Sequence, residues 1–261
     1  MPTRPPIGTV YLVGAGPGAP DLLTLRAARV LAQADIVFHD ALVHPATVAM
    51  AQCAEKIPVG KRCGRHSTVQ KFISKRLVDA AHTHKIVVRL KGGDPMLFGR
   101  AHEEIAALSE AGVAFEVVPG ITAALAASAE LRVSLTQRGI SRSVTFATPR
   151  VGIGERPGHW ASSAAASDTS AVYMGAGEAN SIANAMIEAG KSASTPVAIV
   201  SSASLPDASV VFTTLGLLRC AEAHSISGPA VILIGEQFRP SESSAARILR
   251  QVNDGRASTN G

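Results

Sequence analysis

The 261 residues suffice for one large or two small cores, and 46% hydrophobic but only 4% aromatic content makes those cores aliphatic. A formal charge of +5, with one Trp and two Tyr, counts against the aromatic-studded basic stripe of a nucleic-acid binder and favours a small polyanionic ligand. The opening Met1-Pro2-Thr3-Arg4-Pro5-Pro6 lacks an apolar leader, no run reaches the ~18–20 apolar residues of a membrane span, and Cys53, Cys63 and Cys220 lack metal-ligand spacing. A reduced, cytoplasmic protein without membrane or metal is expected.

Apolar β-branched runs alternate with Ala/Leu-rich segments along the first half. Strands are predicted over 9–13, 35–38, 57–59, 86–90 and 115–118. Helices are predicted over 22–34, 45–53, 69–82, 102–111 and 121–129. Such alternation implies a parallel sheet covered on both faces, in a domain of residues 8–135. Beyond Leu135 strands crowd together, over 143–147, 171–174, 197–200, 209–213 and 230–234, with helices over 179–189 and 214–223. A second α/β domain with a mixed sheet is expected over 136–240. Residues 149–170, rich in Gly, Ser, Pro and Ala, read as a long loop with room for one helical turn, and the tail 241–261 as disordered.

Two loops concentrate the chemistry. Gly14-Ala15-Gly16-Pro17-Gly18 leaves the first strand, and Gly92-Gly93-Asp94-Pro95 leaves the run Ile86-Val87-Val88. Loops at strand C-termini are where an open α/β sheet holds its ligand. A dinucleotide is a poor fit to the first loop. Its spacing is G-x-G-x-G, Pro17 removes an N–H donor, and Asp21 at the expected helix N-cap would repel a pyrophosphate. Asp94 has two readings, a turn former before proline or a carboxylate facing a cationic or hydroxyl-bearing ligand. Basic clusters at Lys61-Arg62-Arg65 and around Arg132, Arg138 and Arg142 suit an anionic substrate.

These loops recur with His39-Asp40-Ala41-Leu42-Val43, Val59-Gly60-Lys61-Arg62, Gly64-Arg65-His66, Val118-Pro119-Gly120-Ile121-Thr122-Ala123, Leu135-Thr136-Gln137-Arg138-Gly139 and Tyr173-Met174-Gly175. In that order, over roughly residues 8–238, they resemble the tetrapyrrole methylase family, its uroporphyrinogen-III C-methyltransferases above all. The resemblance implies a homodimer of two-domain α/β subunits with an active site in the inter-domain cleft. It also implies S-adenosyl-L-methionine as methyl donor, leaving as S-adenosyl-L-homocysteine. Pro17, Gly92, Gly93, Asp94, Leu97, Thr122, Ala123, Met174 and Ala203 fall at its cofactor contacts. Asp40 falls at the proton acceptor and Lys61 at the proton donor. The substrate implied is a tetrapyrrole with eight carboxylates, received by Arg62, Arg65, Arg138 and Arg142 and converted through precorrin-1 to precorrin-2 for sirohaem or cobalamin.

Some positions depart from the family pattern. Thr148-Pro149-Arg150 stands where Thr-Gly-His is usual, His39 where Tyr is, Gln137 where His is, and Ser201-Ser202 where Glu-Asn is. The cofactor loops keep the pattern, while the substrate side leaves open a methylase of another tetrapyrrole or a non-catalytic paralogue that binds the cofactor.

Overall fold

The computed structural model describes residues 7–59, 66–152, 154, 158–220 and 228–240. The chain divides into two units, Met1–Glu130 with Gly152–Gly154 and Ser202–Ala208, and Leu131–Val151 with Glu155–Ser201 and Ser209–Gly261.

In the first unit, β1 (Thr9–Gly14), β2 (Ile36–His39), β3 (Glu55–Pro58), β4 (Ile86–Lys91) and β5 (Ala114–Val118) form one sheet of order β3-β2-β4-β1-β5. Every neighbouring pair is parallel. The inner strands β1, β2 and β4 are mostly apolar on both sides because both faces are covered, whereas the edge strand β3 is largely exposed. Val13, Val37, Val88 and Leu90 pack with Ala27 and Leu31 of α1 (Leu25–Ala32) and Val48 of α2 (Pro45–Ala49). Val10, Leu12, Phe38 and Val87 pack on the other face with Ile73 and Leu77 of α3 (His66–Ala81) and Leu108 of α4 (Ala101–Glu110). The chain leaving β1 therefore turns to one face and the chain leaving the adjacent β4 to the other. That divergence creates a topological switch point at their C-terminal ends. Helix α5 (Ala123–Leu131) follows β5.

Several boundaries differ from the sequence reading. Helix α1 does not begin at Leu22, because Pro20–Leu22 form a separate 3-10 turn and Thr24 is the N-cap, its Oγ1 accepting from Ala27 N–H at 3.1 Å. Asp21, expected at that cap, lies in the 3-10 turn instead. Helix α2 ends at Ala49, short of the expected Cys53, and β3 begins two residues earlier than expected, at Glu55. Residues 149–170 contain α6 (Trp160–Ala166), whose Ala164 is fully buried, so an Ala/Ser-rich stretch becomes helical where tertiary packing supports it.

The second unit holds a sheet of order β6-β7-β10-β8-β9, formed by β6 (Val144–Ala147), β7 (Thr169–Tyr173), β8 (Pro196–Ser201), β9 (Ser209–Thr214) and β10 (Ala230–Ile234). β6 and β7 pair in parallel and the remaining pairs are antiparallel, so the sheet is mixed, as expected. Its core sets Val172, Val197, Ile199 and Ile232 against Ile182 and Met186 of α7 (Ala179–Glu188) and Leu218 of α8 (Leu215–Cys220). Among the described residues no helix is long and apolar enough to cross a membrane.

Candidate active site

The loops that leave β1, β4 and β5 close on one another. Gly16 and Gly93 exchange backbone hydrogen bonds, Gly93 N–H to Gly16 O at 2.7 Å and Gly16 N–H to Gly93 O at 3.2 Å. The third loop packs so tightly that a Cβ on Gly120 would lie 2.3 Å from Gly93 O, and one on Gly14 2.6 Å from Gly120 Cα. Only glycine permits that approach. Asp94 ties the same junction, its Oδ2 accepting from Gly120 N–H at 2.9 Å and its Oδ1 from Met96 N–H at 2.8 Å. The turn-former reading of Asp94 is thus realised, and the carboxylate also joins two loops. A Cβ built on Gly92 meets nothing within 4 Å, so open space borders the backbone here.

Beyond that turn, Phe98 and Arg100 adopt left-handed backbone, φ 52° and 55°. Such geometry in bulky residues is costly and clusters at ligand-handling loops. Pro17 is half-buried in the β1 loop, Leu97 in the β4 loop and Ala123 at the start of α5, while Thr122 beside it is buried. Ala203 is buried between two further left-handed residues, Ser202 and Ser204. Ser204 Oγ accepts from Ala19 N–H at 3.1 Å, bringing Ala203 to the β1 loop.

Asp40 follows β2 at the same sheet edge, its N–H donating to Leu90 O at 3.1 Å. Behind it lies a network that sequence reasoning missed. Arg89 of β4, 3% exposed, donates from Nη2 to Asp40 Oδ1 at 2.5 Å and from Nε to Glu104 Oε1 at 2.9 Å. Glu104 of α4, wholly buried, also accepts from Lys91 Nζ at 2.9 Å and Gln70 Nε2 at 3.0 Å. Burial works against the Arg89 charge, but the Asp40 and Glu104 carboxylates outweigh it and raise its pKa. Burial likewise works against the Glu104 carboxylate, yet Arg89 and Lys91 hold its pKa below the ordinary value. Burial and the neighbouring Arg89 pull Lys91 down. The available signal was two cations, Arg89 and Lys91, inside a strand otherwise apolar on both faces. Charges in such a place must be paired.

Known proteins are similar to this chain. The family model described as Tetrapyrrole (Corrin/Porphyrin) Methylases matches residues 9–218. The chain belongs to that family. A siroheme synthase from Psychrobacter sp. is 44% identical over 232 residues, 88% of this chain and 48% of that protein. One from Zymomonas mobilis is 45% identical over 237 residues, 89% of this chain and 50% of the relative. The chain thus spans about half the length of the curated relatives it matches. Among solved structures, uroporphyrin-III C-methyl transferase from Thermus thermophilus, complexed with S-adenyl homocysteine, has a TM-score of 0.78 at 38% identity. The match covers 89% of this chain and 94% of that one. Cobalt precorrin-4 methyltransferase has a TM-score of 0.75 at 30% identity, over 89% and 96%.

In this tetrapyrrole methylase, Lys61, Arg62 and Arg65 lie outside the described residues. In the second unit, β7 ends at Tyr173, so Met174 leaves the strand it was expected to close. It stands just past that end, 41% exposed with φ 57°. That exposure is inconsistent with Met174 filling the core beside β7. Arg138 is exposed in the turn where Gln137 N–H donates to Ser141 O at 2.9 Å and Ser141 N–H to Gln137 O at 2.8 Å. Arg142 is exposed as well, its N–H donating to Asp168 Oδ2 at 2.8 Å. That bond and those from Ser143 lower the Asp168 pKa. Cys53 is a free, exposed thiol. Among the described residues no group of three or more His, Cys, Asp or Glu could hold a metal ion.

Proposed function

We propose that the chain is an S-adenosyl-L-methionine-dependent C-methyltransferase that converts uroporphyrinogen III through precorrin-1 to precorrin-2. The observation that carries the reading is the three-loop glycine junction at the β1/β4 switch point, with open space beside Gly92 and an oriented carboxylate, Asp40, on the same sheet edge. The family match and the likeness to a uroporphyrin-III C-methyl transferase support it. The residues fit the cofactor in kind. Exposed backbone at Gly92 offers hydrogen-bonding groups to its polar ends, and Leu97 and Ala123 offer apolar contact. Bound there, the cofactor supplies an electrophilic methyl group on a sulfonium.

Transfer is an in-line displacement, so the chain contributes alignment and exclusion of water rather than a nucleophile. The new bond forms from a pyrrole carbon of the substrate as the methyl–sulfur bond breaks, and the sulfur keeps that electron pair. The methylated ring is then cationic and must lose a proton. Asp40 is the base in this reading, Lys61 the acid, and Arg62, Arg65, Arg138 and Arg142 receive substrate carboxylates. Positioned proton transfer contributes ~10²–10⁴-fold in rate. The active form is proposed to be a homodimer.

Incubating purified protein with uroporphyrinogen III and methyl-labelled cofactor tests this. Two labelled methyl groups per tetrapyrrole are expected, and none would refute it. The 30% identity to cobalt precorrin-4 methyltransferase and the departures at Gln137 and Thr148-Pro149-Arg150 favour a second reading, methylation of a later corrin intermediate. Label appearing only with such a substrate would select it.

A further inference from the structure

We propose that Glu104 is a positioning residue for Asp40, acting through Arg89. The inference rests on the methyltransferase reading, in which Asp40 takes a proton. Three elements meet at this carboxylate, which itself stands on α4 and is wholly buried. Its Oε1 accepts from Arg89 Nε of β4 and Gln70 Nε2 of α3, and its Oε2 from Lys91 Nζ of β4. Arg89 is fixed on its remaining sides by the carbonyls of Leu90 and Phe38, at 3.1 and 3.4 Å. One arm of the guanidinium is left, and it ends on Asp40 Oδ1.

Stability alone does not account for this arrangement. A buried ion cluster is often matched or bettered by apolar side chains of similar volume. Here the cluster emerges from the core at one group, Asp40, whose side chain is 33% exposed at the sheet edge. The chain Glu104–Arg89–Asp40 carries the rigidity of the core to a carboxylate that would otherwise rotate. It also assigns the two oxygens. Oδ1 is committed to Arg89, so the proton lost by the methylated ring goes to Oδ2. Charge follows the same logic. Glu104 balances one of the two cations, and the other is left to Asp40.

The test is Glu104→Gln, which keeps the shape and one acceptor. With both substrates saturating, kcat is expected to fall about tenfold, within the ~10²-fold that a 1 Å misplacement can cost. Affinity for S-adenosylhomocysteine should stay within about twofold, and in an Asp40→Asn background the substitution should lower the residual rate no further. An unchanged kcat in the folded variant, or an equal fall in the Asp40→Asn background, would overturn the proposal. Should Glu104→Gln fail to fold, Glu104→Gln with Lys91→Met removes the charges as a pair, and the same outcomes apply. If the parent protein transfers no methyl group to uroporphyrinogen III, the functional reading has failed, and a crystal structure of the variant reads the inference by itself. Arg89 withdrawn from Asp40 would uphold it, and Arg89 still bonded there would overturn it.

Discussion

Asp94 was open to two readings from sequence, and its geometry shows why a single carboxylate matters to two loops. It accepts backbone N–H bonds from Met96 and Gly120, so it fixes the β4 loop internally and against the β5 loop. Asp94→Ala removes both bonds and leaves two N–H groups to find water. We expect the protein to fold and to bind S-adenosylhomocysteine about tenfold more weakly, ~1.4 kcal/mol, by calorimetric titration. Glu104 yields a prediction about pH. Its folded pKa lies below the ordinary 4.5 because Arg89 and Lys91 outweigh its burial. The stability it contributes is therefore fully present above 4.5 and is lost as pH falls through the lower folded value. Denaturant unfolding should show the wild type losing stability over that acid range. Glu104→Ala should be less stable at neutral pH by ~3–5 kcal/mol, since it strands the buried Lys91 and leaves Arg89 with Asp40 alone, and the gap should narrow on acidification. An unchanged gap from neutral pH to acid would contradict this assignment.

At the scale of elements, the parallel sheet was legible because strands such as Ile86–Leu90 are short, β-branched and punctuated by glycine. The amphipathic spacing of α7 made it equally plain. Helix α6 was legible only as room for one turn within 149–170, because a seven-residue Ala/Ser segment carries little periodic signal and owes its form to packing at Ala164. The start of α1 misled because Pro20 and Asp21 together look like a helix entry, whereas Thr24 caps the helix. The glycine loops were legible as loops, but their mutual contact was not. That Gly120 touches Gly93 depends on β5 and β4 both flanking β1. Gly120→Ala would press a methyl group into Gly93 O from 2.3 Å. Backbone cannot yield cheaply there, so a stability loss of ~1–3 kcal/mol is expected in denaturant melts. Affinity for S-adenosylhomocysteine should fall at least about tenfold, the cost of ~1.4 kcal/mol, as the loops part. Parent-like affinity would show that the junction is not the binding site. The network behind Asp40 was the least legible feature, because Arg89 and Glu104 are brought together by the packing of α4 on the sheet.

For the molecule as a whole, a net charge of +5 and the eight carboxylates of the proposed substrate imply electrostatic capture. Raising ionic strength from about 0.01 M to about 0.15 M shortens the screening length from ~30 to ~8 Å, so KM for uroporphyrinogen III should rise several-fold. Affinity for S-adenosylhomocysteine, a ligand without that charge, should change little over the same range. Parallel salt dependence of both ligands would argue against a basic receiving surface. The siroheme synthases are about twice this chain's matched length, and the proposed activity is that of the shared half alone. Everything in the functional reading depends on where the methyl donor binds. A crystal structure of the protein with S-adenosylhomocysteine tests this most directly. The ligand should lie against the Gly92–Asp94 turn and the Pro17 loop, and density for it remote from both turns would contradict the account.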